Sequence, residues 1–334
     1  MLTSYQIARK CDVVFAEDVE KNQFDILNND DFLIVSSDNN KITYLNKKLK
    51  LFEGAYIFCH TSYLNYLFDT LKKIPEVPKV NLVTHQSDIQ IDKNIFLKKP
   101  NCINNWYGVN INYSDKNLYS IPLGLGNNFS SKNIIKSDLD NFVNNNLEKE
   151  FKLYLNFNAN TNKKERLNIY ELFENKKWAI VDRYSDDKQK YLRNLNRYLF
   201  VLCPWGNGLD THRIWETLQV GSIPVVKYHR TFDYLEDLPV LFINEYKDID
   251  EKLLKNYLNT LEKTTLENKK INETYWFDFI FSSNQKKDDF LIVDVNVKLI
   301  KYKKQIYFST IKFLKYPIKL KGNLIVGLKK YFSR

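Results

Sequence analysis

One segment of the sequence, residues 200–227, combines residue types that could bind a phosphate group. Its sequence, FVLCPWGNGLDTHRIWETLQVGSIPVVK, predicts a buried strand, a glycine-containing turn, a short helix and a second buried strand. Gly206 and Gly208 lack a Cβ atom, so the backbone of the turn can approach a ligand closely. Asp210 or Thr211 would cap the helix, whose free N–H groups and positive dipole end face the same turn. The pattern therefore indicates an anion site.

Two charged residues of this helix, Arg213 and Glu216, are three positions apart and share one helix face. The guanidinium could pair with phosphate oxygens, and the carboxylate could accept hydrogen bonds from ribose hydroxyls. The alternative is a surface ion pair, which contributes at most about 1 kcal/mol to stability. Gly221 is expected to end the helix in the left-handed conformation. A strand, turn and helix with two glycines is common, so the pattern alone supports both interpretations.

Taken whole, the segment resembles the signature of exostosin-like glycosyltransferases and of related bacterial and viral enzymes of surface-polysaccharide synthesis. That signature is an apolar strand, Pro, x-G-x-G, a polar pair, R-x-x-E and then G-x-I-P-V. The matching residues are Pro204, Gly206, Gly208, Arg213, Glu216, Gly221, Ile223, Pro224 and Val225. Trp205 stands where those enzymes often carry Arg, so a phosphate contact is not carried over to that position.

The resemblance implies an α/β protein of the GT-B type, in which two Rossmann-like domains face an interdomain cleft. The expected parts are an acceptor-side domain (1–130), a polar linker (131–150), a nucleotide-sugar donor domain (151–290) and a basic tail (291–334). The donor-binding residues would be Gly206, Asn207, Gly208, Asp210, Thr211, His212, Arg213, Glu216, Arg166 and Asn158. For Asn158 and Arg166 the alternative is a polar helix cap and a solvated arginine.

The elements that must position these residues form two α/β series. In the first, apolar runs predict buried strands at residues 32–37, 55–60 and 79–85. Residues 61–74 predict a helix that Thr61 or Ser62 would cap. The apolar stripe of this helix is Leu64, Leu67, Phe68 and Leu71. Strand, helix and strand in this order favour a parallel layer.

The second series follows the polar, Asn-rich stretch 130–150. It predicts strands at residues 151–158, 178–182, 199–204, 222–227 and 239–244, and helices at 163–175, 186–198, 211–220 and 249–268. Two α/β units joined by a polar linker favour a ligand cleft at their interface.

The catalytic base is less clearly marked. An inverting transfer needs a base for the acceptor hydroxyl, and in the implied fold it usually comes from the N-terminal domain. His60 and His85 end apolar strands, where loops facing the cleft begin, and Asp88 follows soon after. We take His85 or Asp88 as the candidates; a structural role is the alternative for each histidine. His212, within the donor helix, could also bind phosphate. Trp106 and Tyr107 favour packing over a sugar platform.

Charge is unevenly placed along the chain, whose formal net charge is +10. Residues 291–334 hold eleven of the 50 basic residues and one of the 40 acidic residues, which leaves 39 of each in residues 1–290. A groove for nucleic acid would be expected to leave a basic excess in the body as well, so no nucleic-acid partner is expected. The tail interleaves cations with Phe, Ile and Leu, which suits an anionic membrane surface. Packing against the N-terminal domain is the alternative.

Neither a metal nor a resident cofactor is expected. The two D-x-D strings, 138–140 and 248–250, do not follow buried strands, as a GT-A metal motif would. We expect a metal-independent transferase, cytoplasmic or peripheral at the inner membrane face. Its substrates would be a nucleotide-sugar and a glycan or lipid-linked glycan. The alternatives are a metal-dependent GT-A transferase and a non-catalytic basic protein that binds membrane or nucleic acid.

Overall fold

A computed structural model describes residues 2–27, 30–127, 133–143, 148–184, 187–261, 269–282 and 286–295. The described residues up to Val293 belong to one compact unit. Nearly all of the predicted basic tail lies outside the described residues. None of the described helices is both long enough and apolar enough to cross a membrane.

The strands, in chain order, are β1 Val13–Phe15, β2 Glu17–Glu20, β3 Phe32–Ser37, β4 Lys41–Asn46, β5 Lys48–Glu53, β6 Tyr56–His60, β7 Val80–His85, β8 Ile103–Gly108, β9 Leu118–Ser120, β10 Glu150–Leu155, β11 Ala179–Val181, β12 Tyr198–Leu202, β13 Ile223–Lys227, β14 Leu241–Ile243 and β15 Lys286–Asp294. The α-helices are α1 Ser4–Lys10, α2 Lys21–Leu27, α3 Leu64–Leu71, α4 Lys93–Phe96, α5 Lys136–Val143, α6 Lys163–Arg166, α7 Ile169–Phe173, α8 Lys188–Arg197, α9 His212–Gln219, α10 Glu251–Thr260 and α11 Glu273–Ile280.

The N-terminal half is built on a parallel sheet of order β1-β6-β7-β8-β9. Strands β6 and β7 are buried along their whole length, as their uninterrupted apolar runs predict. Their registers align His60 with His85, so both strands end at the same edge of the sheet. This carboxyl edge is where parallel α/β sheets bind ligands.

A small antiparallel sheet, of order β2-β4-β3, is inserted after β1. The prediction of a buried strand at residues 32–37 is correct for the strand but wrong for its burial. Strand β3 is an edge strand, and only Val35 among its residues is buried. A short continuous apolar run does not show whether a strand is buried on both faces or is an edge strand covered on one face.

The second half contains a parallel sheet of order β11-β10-β12-β13-β14. Because β11 and β12 lie on opposite sides of β10, the strand order reverses between β10 and β12. The loops that leave these two strands therefore diverge and form a crevice at the carboxyl edge. Both sheets with their helices give a Rossmann-like α/β fold, which confirms the predicted fold class at this level.

The structure contains the predicted helices where apolar residues recur regularly on one helix face. All four stripe residues of α3 are buried, but neither Thr61 nor Ser62 caps this helix. The cap position of α3 is Tyr63, whose side chain makes no capping bond. His60 caps the 3-10 turn that precedes α3, and its Nδ1 accepts from the Ser62 N–H at 3.2 Å. The predicted helix over residues 163–175 is divided into α6 and α7. The predicted linker contains α5, whose Leu139 is buried.

The end of the described chain returns to the N-terminal half. In α11, the ring of Phe279 packs against Tyr107 and Tyr119. Strand β15 pairs with β5, and Phe290 of β15 packs edge-on against Phe52. Strand β15 thus connects residues up to Asp294 to the N-terminal half, whereas the predicted packing of the tail as a whole stays untested. The prediction of membrane docking concerns residues that lie largely outside the described ranges.

Candidate functional site

A cleft of about 420 Å³ lies between the carboxyl edges of the two parallel sheets. Its second-half wall is the turn and helix start predicted from the sequence. The lining includes Arg166, Gly206, Asn207, Gly208, Asp210, Thr211 and His212 from that half, and His85 and Asp88 from the other. Three further predicted residues, Asn158, Arg213 and Glu216, are not part of the lining.

The two glycines of the turn permit contacts that a side chain would prevent. A Cβ atom on Gly208 would lie 2.9 Å from Oδ1 of Asp88, on the opposite wall. A Cβ atom on Gly206 would lie 3.3 Å from Nη2 of Arg166. The turn closes through a hydrogen bond from the Gly206 N–H to the Gly208 carbonyl at 3.0 Å. Gly208 thus permits the close approach of the opposite wall, and Gly206 leaves room for Arg166 within its own wall.

Asp210 has a different role from the one predicted. The cap position of α9 is Thr211, and the buried carboxylate of Asp210 points to the other half of the molecule. It accepts hydrogen bonds from the Leu123 N–H at 2.8 Å, the Trp215 indole at 3.0 Å and the Tyr234 hydroxyl at 3.1 Å. Burial raises the pKa of Asp210 to about 6, although these donors lower it in part. Asp210 is therefore an anchor of the turn.

Arg166 is buried, and its three hydrogen bonds go to backbone carbonyls of Pro204, Trp205 and Asn158. Among the described residues it has no carboxylate partner. Burial, together with the nearby Arg213 guanidinium, lowers the pKa of Arg166 to about 10. A buried cation without a countercharge is costly. An anion bound beside Arg166 would supply that countercharge.

The start of α9 offers two further groups to the cleft. The hydroxyl Oγ1 of Thr211 is buried and has no hydrogen-bond partner among the described residues. His212 lies with Nδ1 2.7 Å from the Gly124 carbonyl, so Nδ1 carries a hydrogen and donates it to that oxygen. An unpartnered buried hydroxyl costs free energy in the empty protein. It is expected to gain a partner when a ligand occupies the cleft.

Arg213 and Glu216 are joined by a third residue. The Tyr191 hydroxyl, from α8, donates to Oε2 of Glu216 at 2.7 Å and accepts from Nη1 of Arg213 at 3.1 Å. The guanidinium also lies over the Tyr191 ring, 5.0 Å from its centroid. Burial alone would lower the pKa of Arg213, but Tyr191 and Glu216 raise it above its usual value. Arg213 and Glu216 thus share one helix face, as predicted, but they are linked through the Tyr191 hydroxyl rather than paired with each other at the surface.

The two candidate bases differ in what their atoms already bind. In His85, Nδ1 accepts from the Gln86 N–H at 2.8 Å and Nε2 lies 3.2 Å from the Pro122 carbonyl, so neither nitrogen is available to a substrate hydroxyl. Burial lowers the pKa of His85 to about 3. Asp88 is exposed in the cleft, and desolvation raises its pKa, although His212 and the Gly208 N–H lower it in part. The geometry favours Asp88.

Several residues of the N-terminal wall were not predicted from the sequence. The cleft is also lined by Ser4, Asp18, Lys41, Gln86, Ser87, Asn127 and Asn133. The conformation of this wall is unusual, since Ala16, Gln86 and Asn110 have φ values of 66°, 63° and 55° just after β1, β7 and β8. Such non-glycine residues cost on the order of 1 kcal/mol each and gather at functional sites. No residue-type pattern in the sequence signals them.

The remaining sequence candidates have structural roles. Trp106 is fully buried, and Tyr107 is nearly so, which is the predicted packing role. In the D-x-D strings, Asp138 accepts from the Ile135 N–H and Asp250 caps α10. Within the described ranges, no three His, Cys, Asp or Glu side chains group as metal ligands would.

Comparison with known protein families bears on the second half of the chain. Residues 161–293 match the RXYLT1 C-terminal domain family. RXYLT1 is an exostosin-like xylosyltransferase, so this match supports the resemblance to exostosin-like glycosyltransferases. The segment that matches the RXYLT1 C-terminal domain includes the glycine turn, Arg166 and all of α9, and it excludes the N-terminal wall of the cleft. No curated protein matches the chain.

Proposed function

We propose that the chain is a GT-B-type glycosyltransferase, which moves a sugar from a nucleotide-diphosphate donor to a hydroxyl of a glycan acceptor. The observation that carries the proposal is the composition of the cleft. On one wall lie the N-terminus of α9 and the buried Arg166, which has no carboxylate partner among the described residues, and the other wall is the carboxyl edge of the N-terminal parallel sheet. The similarity to the RXYLT1 C-terminal domain supports the same chemistry for that wall.

In this proposal the diphosphate lies against the turn Gly206–Gly208 and the first N–H groups of α9. Helix N-termini favour anions through their free N–H groups and dipole. Arg166 adds a cationic charge, and Thr211 can donate its unpartnered hydroxyl to a phosphate oxygen. As the glycosidic bond breaks, these groups would stabilise the charge that develops on the leaving diphosphate. This arrangement requires no cation, and we propose metal independence.

The acceptor hydroxyl would approach from the N-terminal wall. Asp88 is the base that we propose, because its carboxylate is exposed, lies next to the turn and has a raised pKa. It would take the proton of the attacking hydroxyl as the new bond forms at the anomeric carbon. A glycan of the cell surface, attached to lipid at the inner membrane face, is the acceptor class that we propose together with a cytoplasmic location.

A screen of nucleotide-sugars tests this function. The full chain should be stabilised against heat by at least one of them, since a ligand that binds only the folded state raises stability. It should release the corresponding nucleoside diphosphate, slowly with water alone and faster with acceptor, and excess EDTA should not abolish the release. The absence of both effects across the common nucleotide-sugars would refute the proposal. Activity lost in EDTA and restored by Mn²⁺ would favour a GT-A transferase.

A further inference from the structure

The N-terminal wall of the cleft contains a hydrogen-bonded cluster centred on Ser4 of α1. The Ser4 side chain is buried, and Oγ accepts from Nε2 of Gln86 at 2.9 Å and from Nδ2 of Asn127 at 2.8 Å. Gln86 is held in one orientation, because Oε1 accepts from the Asp18 N–H at 2.8 Å while Nε2 donates to the Asp18 carbonyl at 2.7 Å. The cluster is therefore rigid, and Gln86 can only donate to Ser4.

A count of donors and acceptors shows that the cluster has one donor too many. With both lone pairs of Ser4 Oγ engaged, the hydroxyl hydrogen has no acceptor among the described residues. If the Asn127 amide is turned over, Ser4 can donate to its oxygen, but then the amide N–H groups lose their acceptor. In either arrangement one donor of this pair has no acceptor among the described residues. Because both side chains line the cleft, this hydrogen can be donated to an oxygen of a bound ligand.

The charges beside this cluster balance. Asp18 pairs with Lys41, whose Nζ lies 2.6 Å from Oδ2, and Oδ1 of Asp18 accepts from the Thr43 hydroxyl at 2.6 Å. The pair is neutral overall and presents both a carboxylate and an ammonium to the cleft. Arg166, on the other wall, has no such countercharge. The N-terminal wall also carries the Asp88 carboxylate, and Nε2 of His60 lies 3.7 Å from Oδ2 of Asp18. The lysine in the described lining of this wall is paired with a carboxylate, so the wall suits an uncharged ligand that donates and accepts hydrogen bonds better than an anion. The opposite wall suits an anion.

The geometry points to an acceptor subsite at Ser4, Asn127 and the Asp18–Lys41 pair, which binds a neutral polyhydroxylated ring, a saccharide, through its hydroxyl groups. This inference rests on the proposed function and adds to it the residues and the charge of the acceptor unit. A hydroxyl oxygen of the saccharide accepts from the Ser4–Asn127 pair, and neighbouring hydroxyls donate to Asp18. The reacting hydroxyl then lies on the side of Asp88, two residues beyond Gln86 in the same loop.

Saturation-transfer NMR on the full chain, with a panel of methyl glycosides of neutral hexoses and pentoses as probes, tests the subsite. At least one glycoside should bind the wild-type protein, and Ser4→Ala and Asn127→Ala should each weaken it about threefold or more, the loss of one hydrogen bond. Ser282→Ala, at an exposed serine outside the cleft lining, should leave glycoside binding unchanged. Inorganic phosphate should not displace the glycoside. Thermal denaturation of each variant reports whether the fold is retained.

Three results would overturn the subsite: no binding by any glycoside of the panel, wild-type affinity in both variants, or displacement by inorganic phosphate. Release of nucleoside diphosphate from the donor in water, without acceptor, is a separate measurement. It should persist in Ser4→Ala and Asn127→Ala, since neither residue belongs to the donor wall. Failure of the subsite with donor cleavage intact would refute this inference alone, whereas absence of donor cleavage would refute the proposed function.

Discussion

The carboxylate of Asp210 accepts a hydrogen bond from the backbone N–H of Leu123 at 2.8 Å, across 87 positions of sequence. A second bond runs in the same place, from the Asp210 N–H to Oδ1 of Asn110 at 2.9 Å. Next to it, His212 bonds the Gly124 carbonyl. These three hydrogen bonds therefore fix the segment after the glycine turn to the N-terminal half.

Replacement of this anchor should destabilise the protein. In Asp210→Asn one of the carboxylate oxygens becomes an NH₂ group, which cannot accept from Leu123, Trp215 or Tyr234. At least one buried donor is then unpartnered, and we expect a loss of about 1–3 kcal/mol in the free energy of unfolding. Urea denaturation measures it. Asp233→Asn, whose exposed carboxylate accepts from the Tyr228 hydroxyl, is the control and should change stability by less than about 0.5 kcal/mol.

His85 should make stability depend on pH. Its pKa is about 3 in the folded protein and near 6.5 in an unfolded chain, so between these values only the unfolded chain binds the proton. Stability contributed by neutral His85 is therefore present above pH 6.5 and is lost as pH falls towards 3, by about 2 kcal/mol between pH 7 and pH 5. Urea denaturation of wild type and His85→Gln at both pH values isolates this effect. An equal change in the two proteins would contradict it.

The second half could be predicted well because its signals are local. Gly221 has a φ of 71° and ends α9, as a glycine after a regular apolar stripe predicts. The cap position Thr211 was among the two predicted, but its side chain makes no capping bond. The carboxylate of Asp210 accepts from the Leu123 N–H instead of capping α9, and no local sequence pattern identifies this distant partner. The link between Arg213 and Glu216 likewise depends on Tyr191, which α8 supplies.

The N-terminal wall could not be predicted in the same way. Ser4, Asp18 and Gln86 come from α1, β2 and the loop after β7, and only the fold brings them together. The left-handed conformations of Ala16 and Gln86 leave no trace in residue type, whereas glycine would have indicated them. His85 and Asp88 were predicted as alternative bases, because both lie near the end of one strand. Their different environments depend on contacts with Pro122 and Gly208, in other segments.

Removal of the Thr211 hydroxyl should weaken ligand binding without lowering the stability of the protein. We expect Thr211→Val to weaken binding of the donor's nucleoside diphosphate about tenfold, because a hydrogen bond to a charged oxygen is lost. The free energy of unfolding should not fall, since Oγ1 is unpartnered in the empty protein. Thr217→Val is the matched control. Its hydroxyl donates to the Arg213 carbonyl at 2.6 Å, so stability should fall while affinity is retained. Calorimetric titration and urea denaturation measure the two quantities, and unchanged affinity in Thr211→Val would remove this contact from the site.

Glu216 should behave as a structural residue. Glu216→Ala leaves the buried Tyr191 hydroxyl without its acceptor and Arg213 without a nearby carboxylate, so the free energy of unfolding should fall by about 1–3 kcal/mol. Glu171→Ala, at an exposed position of α7, should have little effect. Thermal and urea denaturation test this. A stable Glu216→Ala variant with donor affinity reduced at least tenfold would instead support the ribose contact that the sequence predicted.

Asp88→Asn should separate catalysis from donor binding. The carboxamide keeps an oxygen that can accept from the Gly208 N–H, so the turn and the donor site should be preserved. It cannot take a proton, and a general base contributes about 100- to 10,000-fold to a rate, so sugar transfer should fall at least about 100-fold. Asp115→Asn, an exposed carboxylate that accepts from the Asn117 N–H, is the control and should keep wild-type activity. The transfer rate of wild type should also decline as pH falls through the raised pKa of Asp88, because only the ionised carboxylate is a base. If Asp88→Asn retains more than about a third of the rate, the base lies elsewhere, and Nε2 of His212 is then the group in the cleft lining to replace next.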